Sequence, residues 1–160
     1  MTAPIYLRQL EIGPMQNYVY LVGDPETREA GFVHRISDLS DSDVVAVEGG
    51  DVVHVGNVPI TFIHTPGHTP GSQCFLAAGN LISGDTLFIG SCGRSDLPGS
   101  DPAELYRSLN HTLRNLPDKT IVYPGHNYAD RPTSTIGHEK RRIMFMRFQS
   151  VDEFLRSMGR

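Results

Sequence analysis

The sequence lacks tryptophan, holds only two cysteines among 160 residues, and has no long apolar run. Cys74 and Cys92 stand eighteen positions apart, which is neither a disulfide framework nor a C-x-x-C metal or redox pair, and fits a reducing, cytoplasmic location. No stretch approaches the roughly 20 apolar residues that a membrane span needs. The N-terminus, MTAPIYLRQLEIG, lacks the basic and apolar regions of a signal peptide. Net charge is −4 with no basic run, so nucleic acid is not an expected partner. The short EKRR stretch, Glu139–Arg142, reads as a solvated helix face. Apolar residues at 39% and charged residues at 20% suit one globular domain over residues 1–160, long enough to bury a core.

Short β-branched or alternating runs separated by glycine mark strands at Ile5–Leu10, Asn17–Gly23, Val44–Val47, Val52–Val55 and Val58–Ile63. Ser72–Ala77 and Leu81–Ser83 form a further hairpin, with its turn near Gly79-Asn80. Between the early strands, Glu29–Asp43 is an irregular stretch with one apolar pair, Phe32 and Val33, followed by SDLSDSD. After residue 100 the pattern changes. Ser100-Asp101-Pro102 is a helix start, and Leu105, Leu109, Leu113 and Leu116 form one apolar stripe. Thr120–Tyr123 is a strand leading into Pro124-Gly125-His126, and Ser150-x-x-Glu153 is a capping box that opens a last helix. Strands followed by mixed strands and helices favour an α/β or α+β sandwich.

Three segments carry chemistry. HTPGHTPGS (64–72) follows a strand and holds His68 in a Gly/Pro turn. SGDTLFIGSCGRSDLPGS (83–100) places Asp85 directly after a strand. IVYPGHNYADRP (121–132) places His126 three residues past a strand. A lone histidine after a strand is usually a hydrogen-bonded structural residue. Three metal-competent side chains at three strand ends are a different pattern, because strand ends along one sheet edge converge. Imidazole and carboxylate together suit zinc, or iron as a two-His-one-carboxylate set. Such a metal lowers the pKa of bound water towards ~7 and implies hydrolysis of an acyl compound.

The order and spacing of HTPGHTPGS, SGDTLF, the Ser91-Cys92-Gly93-Arg94 loop and YPGH resemble the metallo-β-lactamase superfamily. Within it they are similar to the glyoxalase II-like branch (hydroxyacylglutathione hydrolases) and the neighbouring persulfide dioxygenases. MQNYVYLVGD looks like the family's opening strand pair, so the resemblance covers about residues 5–24 and 44–158. It implies an α/β fold, a metallo-β-lactamase-type αβ/βα sandwich. It makes His68 a ligand of a first metal, Asp85 a catalytic ligand bridging two metals, and His126 a ligand of the second. Arg94 would contact the glutathione part of a substrate, with Tyr128 and Arg141 near the same pocket. His64 belongs to the motif without being a ligand, so a structural hydrogen bond is its expected role.

The family's H-x-H-x-D-H motif does not occur in this sequence. His34 is the only histidine in the gap where it would lie, followed by Asp38, Asp41 and Asp43, none with the motif's spacing. The first half therefore reads as shortened, with at most one well-formed zinc site and impaired activity. Three functions follow from the resemblance: a Zn2+-dependent thioesterase acting on S-acyl glutathione or a similar small thiol conjugate, a mononuclear Fe2+ persulfide dioxygenase with His126 standing in for a lost ligand, or a non-catalytic family member. The sequence does not indicate an oligomeric state.

Overall fold

A computed structural model describes residues 4–33 and 47–158. His34, Asp38, Asp41, Asp43 and most of the expected Val44–Val47 strand lie outside them, and Val47 itself is not in a strand.

Strands β1 (Tyr6–Ile12), β2 (Asn17–Gly23) and β3 (Ala30–Val33) form an antiparallel sheet in that order. The irregular Glu29–Asp43 stretch thus opens with a strand, whose partner is β2 through pairs such as Leu21 with Phe32. A second sheet collects β4 (Val52–Val55), β5 (Val58–His64), β6 (Gln73–Ala77), β7 (Asn80–Gly84), β10 (Ile121–Pro124) and β11 (Ser134–Thr135). Its order is β11-β10-β7-β6-β5-β4. Between β7 and β10 lies the small hairpin of β8 (Leu87–Phe88) and β9 (Ser91–Cys92). The β6–β7 turn is Ala78-Gly79, one residue earlier than the sequence suggests. Both residues take positive φ, 47° and 80°, as a two-residue primed turn demands.

Alternation of side chains sorts the second sheet's two faces. Ile82, Ala77, Val58 and Ile60 face β2 and pack with Tyr18, Tyr20 and Val22 between the sheets. Cys74, Leu81 and Val122 face the helices. Those are α1 (Pro102–Arg107), α2 (Ile136–Arg142) and α3 (Val151–Ser157). Among the described residues no helix covers the outer face of the three-stranded sheet, where Tyr6, Leu10 and Ile12 are exposed. Among the same residues no helix is long and apolar enough to cross a membrane.

The apolar stripe after residue 100 has a cost in winding. Steps of four overshoot a 3.6-residue turn, so an α-helix would rotate Leu113 away from Leu105. The chain widens instead into a π-helical segment, Ser108–Thr112, and closes with a 3-10 turn at Leu113–Asn115. Leu105, Leu109 and Leu113 all stay fully buried. Asp101 caps α1 by accepting from the N–H groups of Ala103 and Glu104, with Pro102 in the first turn. Ser150 caps α3 as expected, but Glu153 returns its bond to the N–H of Gln149. The EKRR stretch is not wholly a solvated face. Glu139 is fully buried, accepting from the N–H of Gly90 and the hydroxyl of Ser134.

Asp24, at the end of β2, ties the two sheets. Its carboxylate accepts from the N–H of Asn57 at 2.7 Å, in the β4–β5 turn, and from that of Glu26 at 2.8 Å. The Asn57 bond above all, then the Glu26 bond, holds this carboxyl below the usual range against the opposing effect of burial. A depressed folded-state pKa adds stability that is present above about pH 4 and is lost as pH falls through the folded value. Asp24→Asn is expected to lower Tm at pH 7, with the gap to the native protein closing as pH falls through the folded value. Thermal melts across pH 2–7 check this, and a gap independent of pH contradicts it.

Candidate metal centre

Strand direction brings the three chemical segments together. β5 is antiparallel to β6, β6 to β7, and β7 is parallel to β10. β5, β7 and β10 therefore point the same way, and their C-terminal ends share one edge. From that edge come His68, Asp85 and His126. The loops are fastened to each other. The Thr65 and Thr86 hydroxyls bond at 2.9 Å, Ser108 donates to the carbonyl of Pro66, and the N–H of Asp101 donates to that of Gly67. The Gly84 carbonyl accepts from the N–H of Gly125 at 2.9 Å, which joins the Asp85 loop to the His126 loop.

Asp85 lies between the two imidazoles. Its Oδ2 is 3.5 Å from Nε2 of His68, and its Oδ1 is 3.3 Å from Nε2 of His126. Each Nδ1 faces a backbone carbonyl: that of Arg94 at 2.9 Å for His68, and that of Met15 at 3.0 Å for His126. A carbonyl oxygen only accepts, so both Nδ1 atoms must donate. In a neutral ring Nε2 then carries a lone pair, aimed at a carboxylate oxygen that also carries lone pairs. Two facing acceptors repel unless a cation or a second ring proton lies between them. The donor set therefore fits a metal ion on each side of the carboxylate, with a backbone carbonyl behind each ring as metal-binding histidines normally have. Among the described residues no three His, Cys, Asp or Glu side chains close around a single point. The geometry brings His68, Asp85 and His126 together as two half-sites, each with one imidazole and one carboxylate oxygen.

Two glycines make room for this arrangement. A Cβ on Gly125 would sit 2.4 Å from Asp85 Oδ1 and 2.9 Å from the Gly84 carbonyl carbon. A Cβ on Gly93 would clash with the Asp85 carbonyl oxygen, and would lie 3.3 Å from the Cβ of His68. The Arg94 carbonyl can reach His68 only because this loop passes so close.

The other residues singled out fall on both sides of the prediction. Tyr128 stacks on His126, centroids 4.7 Å apart and planes 8° apart, with its ring half in solvent. Phe88, which the sequence did not flag, stands edge-on to both rings at 5.8 and 5.4 Å. The Arg94 side chain is exposed and bonds Asp96 through two nitrogens, each at 2.9 Å. His64 makes the expected structural bond, to the carbonyl of Pro70 at 2.9 Å. Arg141 departs from expectation. It pairs with Asp118, which precedes β10 and so lies at the opposite end of that strand from His126. Burial pushes the Cys74 thiol up to about 11 and the Cys92 thiol up to about 12, so neither is a ready nucleophile. The Met15 and Arg94 carbonyls carry no side-chain signal for sequence reading to find.

Gly125→Ala tests the tight fit. The added methyl should displace the Asp85 carboxylate, cost about 1–3 kcal/mol of stability, and weaken zinc binding by about tenfold or more. Calorimetric zinc titration and a thermal melt measure both, and unchanged zinc affinity would count against the arrangement.

Residues 9–126 match the family model described as the metallo-beta-lactamase superfamily. An uncharacterized protein of Aquifex aeolicus is 46% identical over 98 residues, 60% of this chain and 44% of that one. The probable polyketide biosynthesis zinc-dependent hydrolase BaeB of Bacillus velezensis is 28% identical over 117 residues, 73% of this chain and 52% of that protein. This chain thus spans about half the length of these curated relatives. The crystal structure of ETHE1 from Myxococcus xanthus superposes with a TM-score of 0.85 at 28% identity, over 96% of this chain and 90% of that one. The structure of TTHA1623 in a di-iron-bound form gives a TM-score of 0.55 at 41% identity, over 64% of this chain and 48% of that one. The fold is the mixed α/β metallo-beta-lactamase fold, and the chain belongs to the metallo-beta-lactamase superfamily.

Proposed function

We propose that this chain is a metal-dependent hydrolase of the glyoxalase II type, acting on thioesters such as S-acyl glutathione, with activity well below that of relatives that carry H-x-H-x-D-H. The observation that supports it most is the division of the Asp85 carboxylate between two imidazoles, the geometry of a ligand that bridges two metals. His68 and Asp85 would hold one ion, and Asp85 and His126 the other. Bound zinc would supply a water with its pKa lowered towards ~7 and would polarise the thioester carbonyl. The Arg94 and Met15 carbonyls keep both imidazoles in the ligating tautomer. Arg94 is solvent-facing beside the site, so a substrate carboxylate can reach it by competing with Asp96. Tyr128 and Phe88 offer an apolar wall next to His126. Each half-site brings two protein ligands where zinc normally takes at least three, which is why reduced affinity and rate are part of the proposal.

A second reading, an iron-dependent persulfide dioxygenase, has a specific observation in its favour: the likeness to Myxococcus xanthus ETHE1 extends over 96% of this chain. TTHA1623 was solved with two irons, whereas BaeB is described as zinc-dependent, so relatives point to both metals.

Metal analysis of the purified chain, after growth with both metals, separates the readings. Zinc together with slow release of glutathione from S-acyl glutathione, lost in Asp85→Asn and on chelation, is the expected result. About one equivalent of iron with oxygen uptake on a glutathione persulfide would favour the second reading. No bound metal and neither activity would remove both and leave a non-catalytic family member.

A further inference from the structure

The hairpin between β1 and β2 reaches across the molecule to the His126 loop. The Met15 carbonyl accepts from Nδ1 of His126 at 3.0 Å, and the Gln16 carbonyl accepts from the N–H of Asn127 at 2.9 Å. The N–H of Tyr18 donates to the Gly125 carbonyl at 2.8 Å, and Asn17 forms an isolated antiparallel bridge with His126. Glu11 accepts from the Asn127 side chain at 2.8 Å. These contacts fix three consecutive residues, Gly125 to Asn127, from a segment more than 100 positions away.

The turn that presents the two carbonyls is conformationally demanding. Gln16 has φ 55°, a left-handed value on a residue that is not glycine, and its N–H closes the turn on the Gly13 carbonyl at 3.2 Å. Such a conformation persists where its surroundings over-determine it, and it clusters at functional positions. Here it aims successive carbonyls, Met15 and Gln16, at the His126 loop. His68 has no part in this clasp, since its Nδ1 is held by Arg94 within the second half of the chain.

We propose that the Gly13–Gln16 turn is a positioning element for His126: it fixes the Nδ1–H tautomer and turns Nε2 towards Asp85, so that metal binding on that side depends on docking of the N-terminal hairpin. The proposal rests on the reading of His126 as a metal ligand. It gives the described N-terminal strands, residues 4–33, a role in the site through backbone carbonyls. The two halves of the centre are then controlled separately, His126 by a long-range clasp and His68 by a local loop.

The test uses the full chain and reads imidazole nitrogens by 15N-edited NMR, first without metal and then with zinc alone. Gln16→Val places a β-branched residue where φ is positive, which strains the turn, whereas Gln16→Gly suits it. The native protein and Q16G should show His126 as the Nδ1–H tautomer. Q16V should show mixed tautomers at His126, an unchanged His68, and zinc binding at His126 about 10- to 100-fold weaker, the range for loss of an outer-shell partner. If Q16V does not fold, Glu11→Ala, which removes only an exposed side-chain bond, should shift His126 in the same direction by less. An unchanged His126 tautomer in the folded variant, or equal changes at His68 and His126, would overturn the proposal. Should zinc leave both imidazoles of the native protein untouched, the metal reading itself fails, while the tautomer comparison still decides the clasp.

Discussion

The Nδ1 nitrogens of His68 and His126 each face a backbone carbonyl, and a carbonyl can only accept a hydrogen bond. That constraint turns both Nε2 atoms towards the one carboxylate of Asp85, whose two oxygens are thereby divided between two rings. The rest of the structure serves this arrangement. Parallel running of β5, β7 and β10 delivers the three loops to one edge, Gly93 and Gly125 let the loops close on Asp85, and threonine and serine hydroxyls lock the loops to one another and to the helical segment.

Much of the fold was readable from sequence because its signals are local. Val52–Val55, Asn17–Gly23 and the β6–β7 hairpin announce themselves by alternation and glycine, and HTPGHTPGS, SGD and YPGH sit where strands end. Convergence of the three loops followed from the general behaviour of sheet edges. What stayed hidden is non-local. Burial of Glu139 depends on Gly90 and Ser134, which the charged run around it disguises. The π-helical segment is implicit in a four-residue leucine spacing, but a helix of ordinary winding fits the same letters. The strand Ala30–Val33 is too short and mixed to read, and forms because β2 offers it an edge. Backbone carbonyls that orient the imidazoles leave no trace in the identity of Met15 or Arg94.

Absence of H-x-H-x-D-H takes on a definite meaning against this geometry. The motif's loss would leave each side of Asp85 with one imidazole and one carboxylate oxygen, which is half of what a zinc ion ordinarily takes. The remaining half is not a ruin. Both imidazoles keep a backbone carbonyl at Nδ1, and the first sheet supplies one of the two through the β1–β2 turn. The described residues of this family scaffold thus keep the arrangement of imidazoles and backbone carbonyls around Asp85.

Anomalous diffraction from crystals grown with zinc measures most directly whether a metal occupies the gap between Asp85 and the imidazoles. The account predicts anomalous density beside Asp85, within about 2.0–2.2 Å of an imidazole Nε2 and a carboxylate oxygen. Crystals in which the zinc signal is absent from this edge of the sheet, with both rings still hydrogen-bonded through Nδ1, would contradict it.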